Sequence, residues 1–188
     1  EIKVNQRTTD IVVGCGSYGD PYVITEAETM QAIAAYMINS VSMSDHITLV
    51  DMQDDTTETN GGFELCTDST QKHRTYEKDG SSWVEVEKNE NNEWVKKTEG
   101  KKLANTTVHD YVLNAYYQID GTIELENFPG LGNKDNVFRG VLVGKDNDSR
   151  IKITGGNSEC LIPYSYGSVV KNLDIEYHVS KELTYSSP

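Results

Sequence analysis

The chain has 188 residues, of which 30 are acidic and 17 basic. The resulting formal charge of −13 and pI near 4.6 give a surface that repels nucleic acid and anionic lipid. The length is enough for one domain or one domain with a substantial insertion, the 36% hydrophobic content is low, and no apolar stretch approaches the ~20 residues needed to span a bilayer.

Residues 1–10 are polar, with a weak Ile2, Val4 alternation, and no leader sequence is recognisable. Starting at Glu1, the chain is expected to be processed or to be a fragment of a longer protein. Ile11-Val-Val13 predicts a strand, and Gly14 to Pro21 a tight loop in which three glycines and one proline supply the special backbone angles. Gly14, Gly16 and Gly19 fit the letters of a dinucleotide loop, but Asp20-Pro21 and a strand follow them where a helix is required, so no nucleotide site is expected. Thr25-Glu-Ala-Glu28 is a capping box that predicts a helix start. Met30, Ile33, Ala34, Met37 and Val41 then give it an apolar stripe. Ile47-Thr-Leu-Val50 predicts a strand returning to the core. Asp51, Asp54, Asp55 and Glu58 lack the spacing of a dedicated calcium loop and read as a solvated acidic segment.

Residues 63–99 are the most individual part of the chain. Arg74 to Lys88 reads as a hairpin turning at Asp79-Gly80, and Asn89-Glu-Asn-Asn92 turns the chain again before Glu93 to Lys97, giving a three-stranded meander. Tyr76, Trp83 and Trp94 are large rings in a segment otherwise crowded with charge. Two readings stay open: the rings supply the cohesion of a small sheet, or with Arg74 they form a partner-binding surface, because Trp, Tyr and Arg are enriched in hot spots. Gly100 to Thr107 reads as a polar connector, residues 118–125 as paired strand runs around Asp120-Gly121, and Asn127 to Asn136 as a loop.

Four short β-rich runs follow, Phe138 to Gly144, Arg150 to Gly156, Glu159 to Tyr164 and Gly167 to Ile175, recurring about every ten positions between turn-forming clusters such as Asp146-Asn-Asp-Ser149. Alternate residues are expected to point inward, Ile151 with Ile153, and Val169, Leu173 and Ile175 with one irregular position. An ordinary β-sandwich shares this turn spacing and remains the alternative. The order Phe-x-Gly-x-Leu-x-Gly, Ile-x-Ile, Gly-x-Val-x-Asn-Leu-x-Ile, with Gly19 to Thr25 and Ala115 to Leu125, resembles the capping region and first coils of right-handed parallel β-helix domains in extracellular surface proteins of Gram-positive gut bacteria. The resemblance covers roughly residues 12–50 and 112–178 and fails for 53–110. It implies a mainly β fold, a short solenoid capped by one amphipathic helix and carrying an inserted antiparallel meander. The corresponding division is 1–52 for the leading strands and helix, 53–110 for the insertion, 111–180 for the coils and 181–188 for a tail.

Little in the sequence carries chemistry. His46, His73, His109 and His178 occur singly, no nucleophile elbow is present, and neither metal nor cofactor is expected. Cys15, Cys66 and Cys160 permit at most one internal bridge and read as small buried residues. The chain is therefore expected to be a non-catalytic extracellular adhesion module that binds a host or microbial protein through the aromatic insertion. The resemblance implies an immunoglobulin-binding, superantigen-type partner. A carbohydrate-binding or capping region of a polysaccharide-active enzyme, with Trp83, Trp94 and Tyr76 stacking on sugars, is the alternative.

Overall fold

The computed structural model describes residues 13–38, 52–53, 59–60, 62–66, 73–79, 82–155 and 160–178. The strand expected at Ile47 to Val50 and the tail from Lys181 lie outside them, as do most of the strand at Ile11 to Val13 and most of the acidic segment after Asp51. In chain order the elements are β1 (Tyr22–Ile24), α1 (Ala27–Ile38), β2 (Met52–Gln53), β3 (Thr59–Asn60), β4 (Gly62–Cys66), β5 (His73–Asp79), β6 (Ser82–Lys88), β7 (Trp94–Lys96) and β8 (Lys102–Ala104). They continue with α2 (Asn105–Asn114), β9 (Tyr116–Ile119), β10 (Thr122–Glu126), β11 (Val141–Gly144), β12 (Arg150–Thr154), β13 (Val169–Lys171) and β14 (Asp174–His178).

Two parallel sheets supply the largest single share of the core. The first runs β1-β9-β11-β13 and the second β10-β12-β14. Because side chains alternate across a strand, the inward register rows stack apolar on apolar: Tyr117, Leu142 and Val170 share one, and Ile123, Ile151 and Ile175 another. The rows in β9 to β12 are buried, and a fully buried aliphatic side chain contributes about 1.5–3 kcal/mol. The chain passes from the first sheet to the second at tight turns. Gly121 takes φ +89° and Asn172 φ 51°, both in the region where residues with a Cβ are strained. Ser149 closes the turn between β11 and β12 from inside the core, its hydroxyl donating to the Ile119 carbonyl at 3.0 Å and accepting from the Asp146 amide at 3.1 Å. At the end of β11, a Cβ on Gly144 would lie 1.7 Å from the Asn172 carbonyl oxygen. Gly144→Ala must therefore push two turns apart, and thermal unfolding should show a loss of about 2 kcal/mol. A variant that melts with the wild type would contradict this packing.

Helix α1 lies over the parallel sheets and buries Met30, Ile33, Ala34, Tyr36 and Met37. Its last carbonyls are satisfied from outside the helix, as helix ends require. Asn133 and Asn136 in the loop after β10 donate side-chain amides to the Ile38 carbonyl at 3.2 and 2.9 Å, and the His109 Nε2 lies 3.0 Å from the Met37 carbonyl oxygen. That loop also buries Phe128 and Leu131, so it belongs to the core and not to the surface. Antiparallel β4-β5-β6-β7, with β8 on β6, forms a five-stranded sheet in place of the expected three-stranded meander. Its Tyr76 and Trp83 join the same buried cluster as the parallel-sheet residues.

These observations correct the expectation of a mainly β solenoid capped by one helix. Among the described residues the protein is a mixed α/β fold with parallel sheets and two helices, and no β-helix is indicated. The second helix, α2, is the physical reason: it starts inside the stretch Gly100 to Thr107 that reads as a polar connector, and it buries Val108, His109, Val112 and Leu113. Three of the expected strand features also change. Glu159 to Tyr164 forms no strand among its described residues, and residues 118–125 do not pair with each other, because β9 and β10 enter different sheets. Within β13 the inward residue is Val170, opposite Leu142, so Val169 points outward.

Candidate functional site

The aromatic insertion folds inward. Tyr76 and Trp83 are both completely buried. They are held from both flanks by the hairpin register, with Phe63 opposite Tyr76 and Leu103 opposite Trp83. Neither ring is presented to a partner, which corrects their assignment to a displayed hot spot. A sheet with few aliphatics needs these rings for its own cohesion. Trp94 lies in β7 opposite Lys88, and its side chain is outside the described ones.

Arg74 also has a structural post. Glu85, only 5% exposed in its side chain, faces Arg74 Nη1 at 2.8 Å and Lys97 Nζ at 3.0 Å, and its second oxygen accepts from the Lys101 amide at 2.9 Å. Main-chain bonds run alongside, from the Glu85 amide to the Lys101 carbonyl and from the Lys97 amide to the Glu85 carbonyl. One carboxylate thus ties β5, β6 and the turn before β8 together. Burial alone would raise its pKa, but the Lys101 amide and the Lys97 and Arg74 side chains outweigh that and hold it below the usual carboxylate range.

What remains for recognition is the outside of the parallel sheets, and the two differ sharply. Outward rows of the second sheet carry Arg150 beside Asp174 and Lys152 between Glu124 and Glu176, with ion pairs of 3.1–3.2 Å joining Arg150 to Asp174 and Glu176, and Lys152 to Glu124. The first sheet shows no such ladder. Its outward rows read Tyr116, Val141, Val169 and Val23, Gln118, Val143, Lys171. Tyr18, 80% exposed, stands edge-on to Tyr116 with ring centroids 5.7 Å apart. An apolar, aromatic outer face on so acidic a chain is the candidate site. The signal in the sequence is that Tyr-Tyr-Gln-Ile and Val-Leu-Val lack the polar alternation of Arg-Ile-Lys-Ile-Thr. Such runs are apolar on both faces.

Among the described residues, no group of three or more His, Cys, Asp or Glu could hold a metal, and Asp146 to Ser149 forms a hydrogen-bonded turn. Cys15 is buried and disulfide-bonded, whereas Cys160 is exposed, so the expectation of three small buried cysteines is corrected for Cys160. No helix among the described residues is long and apolar enough to cross a membrane. No protein-family model, no curated protein and no solved structure matches the chain.

Proposed function

We propose that the chain is a non-catalytic extracellular binding module that recognises a host or microbial protein through the outward face of its first parallel sheet. The observation that carries this is the apolar strip of Tyr18, Tyr116, Val141 and Val169, set beside a second sheet whose outer face carries mostly charged residues and two threonines. Contiguous apolar surface of this kind is costly to leave in water and marks interaction sites. Tyr supplies large, rigid contact area there at low entropic cost. Extracellular placement is supported by the disulfide at Cys15, since such bonds persist in oxidising compartments. The partner class implied by the sequence resemblance is immunoglobulin, which makes immobilised immunoglobulin the first probe. A glycan ligand is the second reading, favoured by the exposed Tyr18 ring.

Binding to immobilised immunoglobulin and to a glycan array separates the two. Tyr18→Ser and Val169→Thr, both on the surface, should each weaken binding to the retained ligand by about tenfold if they sit at a hot spot. Full retention by both variants would exclude this face as the interface.

A further inference from the structure

The second parallel sheet ends in a strand whose far edge is open among the described residues. β14 pairs with β12 on one side only. The row residues covered in the preceding strands emerge at this end of both sheets. Val170 is 39% and Tyr177 43% exposed, although their register partners Leu142 and Ile153 are buried. An unpaired edge of this kind is a template for strand addition.

Its charge pattern specifies what it would accept. β10 and β14 present the same alternation, Thr-Ile-Glu-Leu-Glu and Asp-Ile-Glu-Tyr-His, with acids outward and apolar residues inward. Between them the fold places Arg-Ile-Lys-Ile-Thr, whose outward bases pair with acids on both neighbours. Opposite charges across adjacent strands stabilise a ladder and like charges oppose it. We infer that the β14 edge accepts an extended strand of a separate polypeptide that alternates inward apolar residues with outward basic ones. A second copy of this chain does not fit that description: antiparallel pairing of β14 with itself about its centre sets Glu176 against Glu176, and each copy carries −13.

The probe is a capped synthetic peptide with the sequence of residues 149–155, added to the isotopically labelled full chain. A control peptide carries Glu in place of its Arg and Lys. The basic peptide is expected to slow amide exchange and shift resonances at residues 174–178. The acidic one should bind at least about tenfold more weakly, and the order should reverse in Glu176→Lys. Equal binding of the two peptides, or perturbations confined to other strands, would overturn the inference. So would faster β14 exchange, without peptide, in a chain ending at His178, because the chain's own tail would then hold the edge.

Discussion

Trp83→Ala is expected to lower the stability of the folded chain by about 3–5 kcal/mol, the cost of deleting a fully enclosed aromatic side chain and leaving the cavity behind. Trp83 has no exposed surface and stands in β6 between Lys78 of β5 and Leu103 of β8. Truncation therefore removes one of the two fully buried rings, with Tyr76, that join the antiparallel sheet to the shared buried cluster. Single domains are stable by only about 5–15 kcal/mol, so the variant should lose a large fraction of its margin in urea, while Trp83→Phe should lose much less. A loss below about 1 kcal/mol for Trp83→Ala, with the fold retained, would place the ring on the surface.

Glu85→Ala is expected to cost about 2–3 kcal/mol, because it strips the shared partner from Arg74, Lys97 and the Lys101 amide at one stroke. The cost stays below that of a sealed ion pair, since Arg74 and Lys97 side chains keep 18% and 35% exposure and regain some hydration. The pH dependence follows from the direction of the shift. The folded carboxyl titrates below its ordinary value of 4.5, so its contribution is fully present above that pH and is lost as pH falls through the folded pKa. Glu85→Gln should flatten the acid limb of the stability profile and converge with the wild type once both are uncharged at this position. Parallel acid limbs for the two proteins would remove Glu85 from the linkage.

Where local pattern and tertiary environment agree, the sequence is legible. The stripe of Met30, Ile33, Ala34 and Met37 is the buried face of α1, and Ile151 with Ile153 point inward as their alternation predicts. The Asp120-Gly121 break is a turn with Gly121 at φ +89°, though it joins two sheets and not two paired strands. Helix α2 was hidden by its composition. Thr106, Thr107, Val108 and Val112 are β-branched, its N-terminal flank Ala104 makes no side-chain cap, and neither end carries a charge matched to the helix dipole. It forms because packing of Val108, Val112 and Leu113 overrides propensity. The choice between cohesion and display for Tyr76 and Trp83 is illegible in the sequence for a related reason. The charged residues around them mark the outside of the sheet, and sequence alone does not reveal that a second layer covers its other side. The pairing of Tyr18 with Tyr116 is not legible in the sequence, because it depends on the Gly14 to Pro21 loop folding back onto β9, where the Tyr116 amide donates to the Gly16 carbonyl at 2.9 Å.

The fold's central feature is that antiparallel and parallel sheets close over one shared interior with Trp83 inside it. Fluorescence of the Trp94→Phe variant, which leaves Trp83 as the single indole, tests this most directly. Blue-shifted emission that acrylamide cannot quench until the chain unfolds is the predicted result. Red-shifted, freely quenched emission from the native protein would contradict the shared interior.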